Sequence, residues 1–187
     1  MTATDTRTIV PLTTPTRLAA LIAPILLILY GLCRLVDGLN GQRHDGLAWD
    51  VGHTLFLLGI LGFAGLLLGL RRALLGVARR SRVLVEVATV AGLLGAAAFV
   101  WVILGDLFPR VADTVPDPVL TVGPALFQLG LLILLVRAAT VRPRLLPGWG
   151  PALAFVGFVA LAVDLDLLPV GAALVFAGLL PLARADR

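Results

Sequence analysis

Apolar residues in this chain fall into long unbroken runs separated by short polar stretches. The runs cover about residues 17–36, 47–70, 83–108, 120–136, 147–163 and 167–183. An α-helix rises about 1.5 Å per residue, so about 20 apolar residues cross a hydrocarbon core of about 30 Å. The pattern predicts an all-α fold: a polytopic transmembrane six-helix bundle, preceded by an N-terminal tail over residues 1–16. The last two runs are the shortest and suit a thin region or little tilt. Pro24 lies inside the first run, where it removes one backbone hydrogen bond. Pro151 and Pro169 stand near helix starts, where a missing N–H costs little.

The connectors alternate in charge. All fifteen basic residues are arginine. The tail, the second and fourth connectors and the C-terminus hold twelve of them: Arg7, Arg17, Arg71, Arg72, Arg79, Arg80, Arg82, Arg137, Arg142, Arg144, Arg184 and Arg187. The other side holds Arg34, Arg43 and Arg110. Cytoplasmic loops carry the excess of basic residues, so both termini are expected in the cytosol of a bacterial inner membrane. An odd number of spans would put the arginine-rich ends on opposite sides. Arg7 and Arg17 precede a run long enough to cross, with no small-residue cleavage site after it, so that run is expected to stay as a span.

Composition changes the picture little. At 59% apolar the chain exceeds the usual half of a soluble domain. The net charge of +4 would suggest nucleic acid in a soluble protein, but the arginines sit at helix ends, and no nucleic-acid partner is expected. Arginine without lysine, in a chain rich in Ala, Leu, Val and Gly, fits a high-GC bacterial genome. Cys33 stands alone and is read as a small buried residue.

Two constellations could carry chemistry. Small residues mark the second and third runs: Gly65 and Gly69 four apart, then Ala88, Gly92 and Ala96 at the same spacing. Lipid gives no hydrophobic drive for helix association, so close backbone contact must supply it. These positions are the expected helix-packing surface, within the chain or between copies. The second set is polar. Asp37, Asp106 and Asp164 stand near the outward ends of odd-numbered spans. Asp50 and His53 are three apart and share a helix face. Asp50, His53 and Asp106 are the candidate metal ligands, or acid–base groups of an outer-face enzyme site, and His44 and Asp45 precede them. An acid at a helix C-terminus opposes the macrodipole. Arg34, Arg110 or a cation would compensate, and pairing with the arginines is the plainer reading.

The bilayer centre lacks charge. Glu86 lies near the inner end of the third run, within reach of arginines. Gln128, in the middle of the fourth, is expected to bond a neighbouring helix. With Asp37 and Asp164 it would mark a polar pathway if the protein transports. Trp49, Trp101 and Trp149 fall where interfacial anchors belong. No motif for a nucleotide, zinc protease or serine hydrolase occurs, and no cofactor is implied.

The run Trp49-Asp-Val-Gly-His-Thr-Leu-Phe-Leu-Leu-Gly-Ile-Leu-Gly-Phe63, closing on Arg71-Arg72, resembles the second span of small uncharacterised bacterial integral membrane proteins. The resemblance implies a multi-span fold and no activity. The residues favour a non-enzymatic accessory or scaffolding subunit, partnered by the bilayer and by another membrane protein or its own copy. The alternatives are a small transporter or channel with an acidic outer vestibule, and an intramembrane enzyme using the outer Asp/His groups.

Overall fold

A computed structural model describes residues 12–39, 46–77 and 81–184. Among them every element is helical. The helices are α1 (Thr14–Gly38), α2 (Leu47–Val77), α3 (Arg82–Leu107), the single turn α4 (Pro109–Ala112), α5 (Asp117–Thr140), α6 (Trp149–Val163) and α7 (Leu168–Ala183). A 3-10 turn over Leu165–Leu167 leads into α7. The tail before residue 12, together with Arg43, His44, Asp45, Arg79, Arg80 and Arg187, lies outside the described residues.

Five segments are long and apolar enough to cross a membrane: α1, α2, α3, α5 and Leu165–Ala183. The expected count of six is met only in part. The fifth run forms α6, which has 15 residues and so spans only about 22 Å. In the other direction, α2 continues to Val77, past Arg71-Arg72 where the run was expected to end. Arginine, alanine and leucine are good helix formers, and long guanidinium stems can leave an apolar zone without ending a helix. The loop expected over 109–119 contains the extra turn α4. Pro109 initiates it, at a position where its missing N–H is not needed. Thr14 to Thr16, assigned to the tail from sequence, form the first turn of α1, with Pro15 in its opening positions.

Consecutive long helices pair into antiparallel hairpins: α1 with α2, α3 with α5, and α6 with α7. Small residues let the backbones approach. A Cβ on Gly130 would lie 2.5 Å from the Ala88 carbonyl oxygen and from the Gly92 nitrogen. One on Gly95 would collide with the Phe127 nitrogen, and would lie 2.6 Å from the Gly123 carbonyl oxygen. In the last hairpin Gly150 faces Gly178 and Gly157 faces Gly171. Gly69 backs onto Thr16, and Gly62 onto Ala23. The hairpins then join side by side, α7 against α1 and α2 against α3, while α5 touches both α2 and α6. Phe63, Leu66, Leu67, Leu70, Leu131, Leu134 and Leu135 fill the interior, and the outer faces remain apolar.

Candidate functional site

Antiparallel packing sorts the connectors to two ends. One end carries, among the described residues, Arg17, Arg71, Arg72, Arg82, Arg137, Arg142, Arg144 and Arg184, with Glu86 as its one carboxylate. The other carries Asp37, Asp50, Asp106, Asp113, Asp117, Asp164 and Asp166, with Arg34 and Arg110. The buried polar side chains of the aspartate end form the candidate site.

His53 is its centre. It sits almost two turns into α2 and is only 2% exposed. A buried ring of this kind must have its nitrogens satisfied. Its Nδ1 lies 2.9 Å from the Trp49 carbonyl oxygen. A carbonyl only accepts, so Nδ1 is the donor, and this fixes the ring orientation. Nε2 then faces Asp106 Oδ2 of α3 at 3.4 Å. The contact joins α2 to α3. Trp49 strengthens the same junction: its Nε1 donates to the Asp106 carbonyl oxygen at 3.2 Å, and its ring lies 3.8 Å from the imidazole.

The network continues into α1. Tyr30 meets His53 edge-on, with ring centres 5.2 Å apart, and stacks on Phe56 at 4.4 Å. Arg34, one turn further along α1, stands beside Tyr30 and reaches Asp166 Oδ1 with its Nε at 3.7 Å. Asp164 closes the turn to α7 by accepting from the Asp166 N–H at 2.8 Å. Below the polar groups the rings continue, from Phe56 to Phe99, Phe127 and Phe63, with centres 5.4 to 5.6 Å apart. Such pairs contribute about 0.5–1.5 kcal/mol each beyond the area they bury. One line of aromatic contacts thus ties the polar end to the middle of the bundle.

The residues singled out from sequence separate here. His53 and Asp106 come together. Asp50 is exposed, and its carbonyl oxygen accepts from Thr54 Oγ1 at 2.8 Å. Asp37 is buried at the end of α1, whereas Asp164 is exposed. Gln128 is half-buried midway along α5. Among the described residues no three His, Cys, Asp or Glu side chains gather as metal ligands would. Of the packing positions, Gly69, Ala88, Gly92 and Ala96 are buried. Gly65 is exposed, and a Cβ there would meet nothing within 4 Å. Trp101 bonds Thr114 Oγ1 at 3.1 Å beside α4. Glu86 takes Arg71 on the neighbouring helix.

Sequence reasoning passed over Tyr30 and the phenylalanine line. Tyr30 is the one tyrosine of the chain, lying one turn before Arg34, the arginine near the far end of the first run. That coincidence was the available signal. No protein family, curated protein or solved structure matches the chain.

Proposed function

We propose that this is a six-span protein of the bacterial inner membrane, with both termini and the arginine end in the cytosol, acting without catalysis as an accessory or scaffolding subunit. The observation that carries this reading is the closed interior. A route for ions or solutes needs polar groups or water along the bundle axis. Here Tyr30, Phe56, Phe99, Phe127 and Phe63 form a chain of ring contacts from α1 through α2 and α3 to α5, and buried leucines fill the core around them. Polar side chains tie helices to one another at the aspartate end.

The register of α6 supports six crossings over five. It lies antiparallel to α7 from Gly150–Gly178 to Gly157–Gly171, so it travels as far through the bundle as its partner does. Arginine end groups and the likeness of residues 49–72 to small bacterial membrane proteins support the location. Reporter fusions after Asp45 and after Arg80 should report opposite compartments, as should fusions after Gly148 and after Asp166. The same compartment for the first pair removes the orientation, and for the second pair removes the sixth span.

The accessory role is tested by purification from native membranes in mild detergent. A stoichiometric companion, or a second copy, should stay bound through size exclusion. Gly65→Leu is the informative variant, because it adds bulk where the chain itself makes no contact. The complex should dissociate while the variant keeps the wild-type melting temperature. A wild type that emerges alone and monomeric overturns the reading. So does Gln128→Cys that reacts readily with membrane-impermeant thiol reagents, which would mark a watered path.

A further inference from the structure

A guanidinium group stays charged in a protein, and where water is shut out its charge is balanced by an anion. At the arginine end Glu86 is occupied by Arg71, through bonds of 2.6 and 2.8 Å, and also faces Arg82 one turn before it on α3. Arg137 is held differently. It stands in the last turn of α5, half-buried, and reaches across to α3. Its Nη2 donates to Ser81 Oγ at 2.7 Å, and its Nη1 donates to Thr140 Oγ1 at 3.4 Å. Its Nε is shielded and bonds nothing among the described residues. The described ion pairs involve other groups. Hydroxyls orient the guanidinium fork but leave its charge unbalanced.

The surroundings add positive potential. Ser81 precedes α3, its side chain does not close the helix cap, and no acidic residue stands in the first turn. The free N–H groups and the dipole of a long helix favour an anion there. Arg82 follows and is exposed. Arg142 and Arg144 lie in the connector that folds back on α5, where the Leu145 and Leu146 N–H groups donate to the Ala138 carbonyl oxygen. Next to these charges Val83, Val87 and Val136 are exposed, an apolar wall suited to acyl chains. Charge and lipid-facing surface therefore meet at one seam.

We infer that the seam between the start of α3 and the end of α5 binds the phosphate of an anionic phospholipid. Arg137 balances its charge, Arg82 adds to the positive field, and Ser81 holds the Arg137 fork in place. The site goes beyond the accessory-subunit reading. It needs only that the helices cross a membrane, with the arginine end in either leaflet.

The test uses the full chain in neutral detergent. Dioleoyl phosphatidylglycerol, the phosphatidylcholine of the same chains, and inorganic phosphate are titrated separately. Thermal unfolding and native mass spectrometry read the binding. Phosphatidylglycerol should stay bound and raise the melting temperature, while the other two should not. Each arginine near a membrane surface contributes about 1 kcal/mol, so Arg137→Gln and Arg82→Gln should each weaken phosphatidylglycerol binding about fivefold. Arg110→Gln, at the opposite end, should leave it unchanged. Equal responses to the two lipids overturn the site. Inorganic phosphate matching phosphatidylglycerol at equal phosphate makes the seam a free-anion site and overturns the lipid assignment. If Arg137→Gln does not fold, the exposed Arg82→Gln decides, and undiminished binding by it overturns the proposal.

Discussion

At the aspartate end of the bundle, opposite charges and rings meet one another across three helices. At the arginine end, one glutamate answers eight described arginines. His53, Asp106, Trp49 and Tyr30 form a junction that the chain completes from its own residues. Arg137 meets only hydroxyls, and Arg82 points outward. The contrast teaches that the two ends treat their charges differently. One end pairs its charges internally, and the other leaves most of its described arginines facing outward.

Separating the hairpin that spans both ends should have the largest effect. Gly95→Leu puts a side chain against the backbone of Phe127 and Gly123, which cannot retreat as a side chain could. Overpacking of this kind costs about 1–3 kcal/mol where side chains can adjust, and a backbone collision lies at or beyond the top of that range. The expected readout is loss of a monodisperse peak in detergent. His53→Ala comes next and strikes the aspartate end alone. It leaves a cavity and strips Asp106 of its partner, which together cost about 2–4 kcal/mol. Most of the loss comes from the space emptied around a ring that is 2% exposed, so it should persist at high salt. A loss that salt abolished would place its origin in the Asp106 carboxylate, whose side chain is 39% exposed.

Arg34→Gln should cost less, about 1 kcal/mol, since its 3.7 Å contact is to a carboxylate that is 43% exposed. Arg71→Gln sharpens the comparison from the other end. The bond to Glu86 is short and bidentate, but both side chains are about a third exposed, so its loss should be modest and should shrink as salt rises. If Arg71→Gln destabilised as much as His53→Ala, the distinction between the ends would collapse.

The spans were legible because membrane thickness imposes a length that a run of apolar residues displays directly. Their ends were less so. Arg71-Arg72 read as a stop, but arginine ends an apolar run without ending a helix, and α2 continues to Val77. The fifth run read as a span, and α6 is too short to qualify by length alone.

The site was legible in its parts and not in its pairing. Asp50 and His53 share a face by spacing, yet only His53 is covered, because the covering helices decide how wide the buried stripe is. A spacing of four singled out Gly65, which points outward. The spacing that matters is seven. Gly52 and Gly59, Gly62 and Gly69, Gly123 and Gly130, Gly150 and Gly157, and Gly171 and Gly178 all recur at that interval, and each of these positions lies against a neighbouring helix. Two turns bring an antiparallel helix back to the same contact line, so the repeat of seven marks a seam in all three hairpins, while the repeat of four marks one on α3, where Ala88, Gly92 and Ala96 are buried, and fails at Gly65 on α2.

Those seams also set an order of events during synthesis. Each one joins helices that are neighbours in the chain, so every hairpin contains all it needs to pair once its second helix has left the ribosome. The nascent chain can therefore deliver three finished units to the bilayer in turn. The joining of α7 to α1 brings the first and last helices together, and so has to wait until the final span arrives.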